Sequence, residues 1–248
     1  MNKKHSRPVV YVFIGPEKTG TTTIFDLLPF DQVPLQKEMF NLSRRCDSNA
    51  ELARIDAQLS VQNVAYIVEP TYFVSDCARQ ILSEISDRYE VHVIHTRRDP
   101  IDRMISHYLH HKAKGRVSDP EGAVASYPEI VGASHYDEHT KLWREVVEHF
   151  HVIDVTGGAD LSTELTRLGI TPSSSGAVQS NLRMAPRNFK LARLASKFWQ
   201  VMIDLRLNKI VPSRLKNSAK ARVYYGGQPV EVSDKERECL IRMLSTID

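Results

Sequence analysis

The sequence lacks a long hydrophobic run. None of its 248 residues belong to a stretch near the roughly 20 apolar residues that a membrane helix requires. The N-terminus MNKKHSRPVVYVFIG is basic, but its apolar run is short and leads into a glycine loop instead of a small-residue cleavage site. We therefore predict a buried first strand, without a signal peptide or membrane anchor, and a cytoplasmic protein.

Cysteine is also scarce, with only Cys46, Cys77 and Cys239. An odd count without metal-ligand spacing argues against a disulfide framework and fits a reducing compartment. The composition is not that of a disordered chain, because 42% of the residues are apolar and 25% are charged. Length and composition together predict one globular domain over residues 1–248.

Net charge is small, at +3, but it is distributed unevenly. Only Asp204 opposes a set of eleven basic residues in the C-terminal part of the chain: Arg183, Arg187, Lys190, Arg193, Lys197, Arg206, Lys209, Arg214, Lys216, Lys220 and Arg222. Such a segment favours an anionic partner, although a solvated helix face is the alternative.

Strand patterns alternate with helix patterns along the chain. The predicted strands are Val9–Ile14, Ala65–Val68, Glu90–Thr96 and His151–Val155. The predicted helices end near Leu28, cover Ser75–Asp87, begin at Asp99-Pro100, cover His135–His149 and Asn188–Ile210, and begin at Ser233. This alternation predicts an α/β fold with a central parallel sheet flanked by helices. Ligands of such sheets bind at the carboxyl ends of the strands.

The first of these ends carries the loop GPEKTGTT, from Gly15 to Thr22. Nucleoside-triphosphate loops read G-x-x-x-x-G-K-[ST], whereas here Thr21 takes the lysine position and Lys18 stands three residues earlier. A glycine turn between a strand and a helix directs backbone N–H groups and the helix dipole at an anion. An ordinary turn is the alternative reading.

The stretch GPEKTGTTTIFDLL resembles the 5′-phosphosulfate loop of sulfotransferases that use 3′-phosphoadenosine 5′-phosphosulfate (PAPS), in particular the heparan-sulfate and bacterial carbohydrate branch. The resemblance implies the P-loop-like sulfotransferase fold. It also implies that the donor is bound by Lys18, Thr19, Gly20, Thr21 and Thr22. Lys18 would act in catalysis as well, at the bridging oxygen and the sulfuryl group, so the displaced lysine suits a phosphosulfate.

The stretch RRDPIDRMISHY is similar to the 3′-phosphate motif of the same family, R-[DN]-P-x-x-R-x-x-S. Its positions here are Arg98, Asp99, Pro100, Arg103 and Ser106. The resemblance implies that Arg98 and Ser106 hold the 3′-phosphate of PAPS and of its product PAP. The arginine fork can do so with two parallel hydrogen bonds.

The stretch QKEMFNL resembles the family segment K-E-x-x-F-F, whose glutamate is the general base. Carried over, Glu38 takes the proton from the acceptor hydroxyl or amine, which is otherwise a poor nucleophile. His107 is a second candidate for this role. The segment VEPTYF, which ends with Glu69 to Phe73, lacks a lysine found in the heparan-sulfate enzymes, and this departure argues against a glycosaminoglycan acceptor. Glu69 and Tyr72 remain candidates to face the cleft.

The stretch NSAKARVYYG stands where family members carry a K-G-R loop over the nucleotide. The resemblance makes Lys220 and Arg222 candidate phosphate contacts. The basic, helical part over about 180–248 is then expected to help close the nucleotide and acceptor site. A glycan or glycolipid is the expected acceptor, and a small-molecule or natural-product hydroxyl is the alternative.

Two other classes compete with this interpretation. In a P-loop kinase or NTPase, Asp154 at the end of HVID would bind magnesium, but Thr21 in the lysine position argues against it. A non-catalytic nucleotide- or membrane-binding module would use the basic helix Phe189–Ile210, which is compatible with peripheral membrane contact. We expect no nucleic-acid partner. We also expect no metal, because histidines such as those of the stretches EVHVIHT and SHYLHH are more often solvated or at the edge of a core.

Overall fold

The computed structural model describes residues 7–29, 41–44, 46–157, 159–173 and 230–246, together with 194, 195, 198 and 202. The chain forms two compact units, one of Met1–Pro100 with His135–Val178 and one of Ile101–Ser134 with Gln179–Asp248. A single domain over 1–248 stays a prediction. Within the described ranges, no helix is long and apolar enough to cross a bilayer.

The first unit contains a four-stranded parallel sheet in the order β2-β1-β3-β4. Its strands are β1 (Val9–Phe13), β2 (Val64–Val68), β3 (Glu90–Arg97) and β4 (His149–Asp154). Continuous β-branched and aromatic runs such as VVYVF form strands that are buried on both faces. The predicted α/β class with a central parallel sheet flanked by helices is therefore confirmed.

Helices connect these strands and continue beyond them. They are α1 (Thr21–Leu27), α2 (Asn41–Arg44), α3 (Ser48–Leu59), α4 (Asp76–Ile85), α5 (Pro100–Ala113), α6 (Pro120–Ser126), α7 (Glu129–Gly132), α8 (Tyr136–Val146), α9 (Leu161–Arg167) and α10 (Asp234–Ser245). The predicted capping box of the last helix is present, with Ser233 and Glu236 bonding to each other's backbone N–H.

Helices α3, α4 and α8 cover one face of the sheet. Ile55 of α3, Leu82 of α4 and Trp143 of α8 are fully buried in one cluster with side chains of β1 and β3. Each such side chain contributes about 1.5–3 kcal/mol by leaving water. The Trp143 indole N–H also donates to the Phe73 carbonyl at 2.9 Å, so burial leaves no unpaired indole donor.

Helices α1 and α9 cover the opposite face. Ile24 of α1 and Leu165 of α9 are fully buried with Phe13 and Ile94 of the sheet. The second unit has its own core, in which Met104 and other residues of α5 pack with residues of α6, α7 and α10. In the first unit, the burial of Ile24 holds α1, and with it the glycine loop, against the sheet.

The structure differs from the sequence pattern most clearly at the end of one helix and in one polar stretch. Helix α8 ends at Val146 and β4 already begins at His149, so the predicted helix to His149 is wrong at its end. The polar stretch 112–132 has two prolines and three glycines, a composition that favours a long loop, but it contains α6 and α7. Asp119 caps α6 by accepting from the Gly122 N–H at 2.7 Å, and Pro120 occupies the first helical position, where its missing N–H costs nothing.

The expectation against a disulfide is wrong. Cys46 and Cys77 are bonded, with their Cα atoms 5.8 Å apart. The bond joins the turn between α2 and α3 to the first turn of α4, and the two cysteines are 31 positions apart in the chain. An odd cysteine count cannot reveal such proximity, so the cysteine argument for a reducing compartment loses its support. Cys239 is a free thiol.

Polar rings occupy the amino end of the sheet face that α1 and α9 cover. Strand register places Tyr66, Tyr11, His92 and His149 in one row, with neighbouring ring centroids 5.8, 5.1 and 4.5 Å apart. We call the group Glu90, His92, His149 and His151, at the starts of β3 and β4, the histidine corner. A hydrogen bond to His92 lowers the pKa of Glu90, and burial, followed by the charge of His92, lowers the pKa of His151.

Candidate functional site

The loop from Gly15 to Thr22 begins at the carboxyl end of β1 and is fixed to the end of β3. A Cβ on Gly15 would lie 1.6 Å from the Thr96 Oγ1 and 2.6 Å from the Thr96 carbonyl oxygen. Only glycine therefore permits this approach. The buried Thr19 hydroxyl donates to the Pro16 carbonyl at 2.7 Å and lies 2.9 Å from the Thr96 Oγ1. The Thr19 hydroxyl thus fixes the loop, and only the main chain of Thr19 remains to bind a ligand.

Two loop residues adopt left-handed backbone conformations. Lys18 has φ 78° and Gly20 has φ 82°. At Gly20 the conformation, and not space, requires glycine, because an added Cβ would be 3.7 Å from the nearest atom of Val155, an ordinary contact. At Lys18 the same conformation costs an L-residue about 1–2 kcal/mol. Strain of this kind persists where the surroundings impose it, and it is concentrated at functional sites.

Basic residues follow β3 at the same edge of the sheet. Arg97 is half-exposed, and its Nε donates to the Asp154 Oδ2 at 2.9 Å. Hydrogen bonds from Thr156, and then from Arg97, hold the pKa of Asp154 below its ordinary value. Arg98 follows directly and is partly exposed. The parallel pairing of β1 with β3 therefore brings the lysine-bearing loop and this arginine pair to one edge.

Two further motif residues, Arg103 and Ser106, lie in α5, in the second unit. Ser106 and His107 are buried. Arg103 is fully buried, and its guanidinium donates to the Ser134 Oγ at 2.9 Å and to the carbonyls of Glu129 and Ile130. Arg103 therefore fixes α5 to α7 and the residues that follow it. Sequence reasoning gave it no role beyond its place in the motif.

His107 is committed to contacts within this unit. Its Nδ1 lies 3.4 Å from Nη1 of Arg103, and its Nε2 lies 3.3 Å from Nε2 of His111. Since arginine has no acceptor, the Nδ1 accepts the first of these bonds. A ring whose two nitrogens both have protein partners is poorly placed to take a proton from a substrate.

Glu69 and Tyr72, candidates to face the cleft, are both fully buried instead. The Glu69 carboxylate accepts from Nη1 of Arg54 at 3.0 Å. Glu51 lies beside the same guanidinium and accepts from Nδ2 of Asn41 at 2.7 Å. Burial raises the pKa of Tyr72 and keeps its hydroxyl neutral. Because a buried charge needs a partner, the network fixes Asn41, the first residue of α2, to α3 and the end of β2.

Several predicted residues lie outside the described ones: Glu38, Lys220 and Arg222. Glu38 stands three positions before Asn41, so the buried Asn41–Glu51 bond fixes the chain just after the predicted base. Of the basic helix predicted over Phe189–Ile210, only four positions are described, and Leu194 and Phe198 among them are exposed. Sequence reasoning missed Thr96 and Arg54, which act through a hydrogen bond and an ion pair with distant residues and carry no local motif.

Another missed feature lies beside the loop end of β3. His95 is fully buried, stacks on Phe73 with ring centroids 4.3 Å apart, and places its Nδ1 3.3 Å from Thr140 Oγ1. Burial, followed by the charge of Arg97, lowers its pKa to about 3. The imidazole is therefore neutral across the physiological range and adds no charge to this edge of the sheet.

Comparison with known proteins gives likenesses among solved structures. No family model and no curated relative match the chain. A crystal structure of a sulfotransferase from Alicyclobacillus acidocaldarius is a structural neighbour, with a TM-score of 0.47 and 19% sequence identity. The match covers 71% of this chain and 88% of that chain.

Proposed function

We propose that this protein transfers a sulfuryl group from PAPS to a hydroxyl or amine of a glycan or glycolipid acceptor. The observation that carries the proposal is the glycine loop, in which the left-handed Lys18 precedes Gly20 and the loop is fixed to Thr96 at the end of β3. A lysine in the turn meets a different part of a ligand than the lysine at the helix start of a triphosphate loop. That difference favours a phosphosulfate.

The donor is held from several directions. The main chain of Thr19 and Gly20, with the hydroxyls of Thr21 and Thr22, binds the 5′-phosphate. Arg98 binds the 3′-phosphate with a bidentate fork, and Ser106 adds a hydroxyl. Lys220 and Arg222 complete the phosphate contacts. The 3′-phosphate distinguishes this donor from ATP.

The transfer is an in-line displacement at sulfur. The acceptor oxygen or nitrogen forms a bond to sulfur as the bond from sulfur to the 5′-phosphate oxygen breaks. Glu38 takes the acceptor proton, and Lys18 and the loop N–H groups stabilise the negative charge that develops on the leaving phosphate of PAP. As in phosphoryl transfer, positioning and charge stabilisation supply most of the rate enhancement.

Glu38 is preferred to His107 as the base. Both ring nitrogens of His107 are engaged by Arg103 and His111 inside the second unit. The chain just after Glu38 is instead anchored by the buried bond between Asn41 and Glu51.

The kinase or NTPase alternative lacks support from the residues that it needs. Thr21 occupies the lysine position of a triphosphate loop. Asp154, the candidate magnesium ligand, bonds with Arg97 and with the Thr156 N–H at 2.9 Å. A magnesium ion would have to compete with that arginine. A screen of acceptor substrates would distinguish a small-molecule acceptor from a glycan acceptor. Peripheral membrane contact stays a prediction.

The donor site is tested by calorimetric titration with PAP, with AMP and with ATP plus magnesium. We expect micromolar binding of PAP alone, and we expect Arg98→Ala to lose it. Arg167→Ala, which removes an exposed arginine of α9, is the matched control and should bind PAP like the unmodified protein. A preference for magnesium-ATP, or no binding of PAP, would contradict the proposal.

The base is tested by Glu38→Gln in a sulfuryl-transfer assay. Removing a general base lowers kcat by about 10²–10⁴-fold. The affinity for PAP should stay within about twofold, because the residue is proposed to contact the acceptor and not the donor. An unchanged kcat in this variant would show that another residue is the general base.

A further inference from the structure

The histidine corner collects metal-binding side chains from two neighbouring strands. Strand β3 begins with Glu-Val-His, at Glu90 to His92, and β4 begins with His-Phe-His, at His149 to His151. Alternate residues of a strand project from the same face. Because His92 pairs with His149 in register, the two sets lie side by side.

The ligand atoms are already close together. One nitrogen or oxygen each of Glu90, His92 and His149 can be chosen so that all three lie within 4.8 Å of one another. Tetrahedral zinc, with bonds of about 2.0–2.2 Å, separates its ligand atoms by about 3.3–3.5 Å. His92 and His149 are stacked with an interplanar angle of 12°, so binding one ion requires the rings to rotate until their nitrogen lone pairs converge.

The two nitrogens of His92 have different neighbours. Its Nε2 lies 2.9 Å from the Glu90 Oε1, and its Nδ1 lies 3.1 Å from the His151 Nε2. Histidines that bind a metal through one nitrogen usually donate the other N–H to a fixed partner, which orients the ring. His151 is placed to be that partner.

The side chains also combine access with partial burial. Their exposed fractions are 36% for Glu90, 17% for His92 and 34% for His149, so an ion can enter from solvent. An ordinary packed edge explains one stacked ring pair. It does not explain why a carboxylate and three imidazoles gather at the starts of two neighbouring strands.

We propose that Glu90, His92 and His149 bind one divalent transition-metal ion of the zinc class, with His151 orienting His92 and the fourth position open to water. Two imidazoles and one carboxylate suit zinc, cobalt, nickel or copper, and they disfavour magnesium and calcium, which prefer oxygen ligands. This proposal departs from the sequence expectation of no metal.

The ion is separate from the sulfuryl-transfer site. Thr96 lies four positions after His92 in β3, which is about 13 Å along a strand. The metal therefore stays away from the reacting sulfur and cross-links β3 to β4. Its expected effect is on stability and not on turnover, so its test is independent of the proposed function.

The test uses the full chain after treatment with a chelator. Calorimetric titration with zinc chloride should give one site per chain, and magnesium and calcium should give none. Cobalt(II) should give the visible absorption of a tetrahedral ion. At a zinc concentration about 100 times Kd, the Tm should rise by about 5–10 °C.

Variants assign the ligands. Glu90→Gln and His149→Gln should each weaken zinc binding by about 100-fold or more, and His151→Gln by about 10–100-fold. His110→Gln, in helix α5, is the control and should bind zinc normally. Glu90 and His149 are partly exposed strand-start residues, and circular dichroism checks that the variants fold. If a variant does not fold, the cobalt spectrum of the unmodified chain gives an independent readout of the metal site.

Three results would overturn the proposal: no zinc binding tighter than about 100 μM, equal binding of magnesium, or full zinc affinity in both Glu90→Gln and His149→Gln. If His110→Gln instead abolished binding, the ion would belong to the α5 histidines, which would also overturn it.

Discussion

Strand β3 meets a different kind of site at each of its ends. At its carboxyl end, Thr96 fixes a loop whose shape depends on Gly15 and on two left-handed residues. At its amino end, the histidine corner is built from side chains on regular strands. The first end therefore depends on backbone geometry, which suits phosphate recognition, and the second depends on strand register, which suits an ion held by imidazoles.

The largest expected effect at the loop end comes from Lys18→Gly. Removing the charge should lower kcat by about 10²–10³-fold, as loss of one stabilising donor does in other enzymes. The same change should raise the free energy of unfolding by about 1 kcal/mol, because glycine adopts φ near +80° without strain. Transfer kinetics and urea unfolding measure the two effects.

Lys18→Ala is the control for that variant. It removes the charge but keeps the strain, so it should lose activity without gaining stability. If Lys18→Gly were no more stable than Lys18→Ala, the left-handed conformation would not store strain, and the contrast between the two strand ends would weaken.

Gly15→Ala should have the next largest effect. Its Cβ would overlap the Thr96 side chain and approach the Thr96 carbonyl, so the loop would shift. We expect PAP affinity to fall by about 100-fold, as displacements near 1 Å do, and stability to fall by about 1–3 kcal/mol. Calorimetry and urea unfolding check this.

Two controls accompany Gly15→Ala. A Cβ on Gly132 would have no atom within 4 Å, so Gly132→Ala should change neither quantity. Zinc affinity at the histidine corner should also be unchanged in Gly15→Ala, because the regular strand register is retained. Parallel loss of zinc binding would show that the two ends are not independent.

The smallest expected effect belongs to Asp154→Asn. Its ion pair with Arg97 is half-exposed, and such pairs contribute about 0.2–1 kcal/mol. We expect sulfuryl transfer within about twofold of the unmodified rate. A large loss of activity together with a requirement for magnesium would identify Asp154 as a metal ligand and favour an NTPase instead.

The sequence predicts the features that depend on contiguous residues and misses those that depend on tertiary contacts. The parallel sheet and the loop between β1 and α1 were predicted because each depends on a contiguous pattern, such as VVYVF followed by GPEKTG. The Cys46–Cys77 bond and the pairing of Glu69 with Arg54 were not, because each joins residues that only tertiary packing brings together.

The histidine corner illustrates this limit further. Its residues appear in the sequence as two separate triplets almost 60 positions apart, and only the register of β3 against β4 joins them. Arg103 is the reverse case. It belongs to a recognisable motif, yet the structure buries it as an anchor of α5.

The contact between Thr19 and Thr96 has a consequence for folding kinetics. The two residues are 77 positions apart, so the loop reaches its final shape only after β3 has docked beside β1. Contacts between distant residues form late, because the chain-closure entropy must be overcome first. During synthesis, a nascent chain that has not yet emerged beyond β3 lacks the final shape of this loop, so recovery of binding at the proposed donor site would report the docking of β3 beside β1 rather than the first steps of folding.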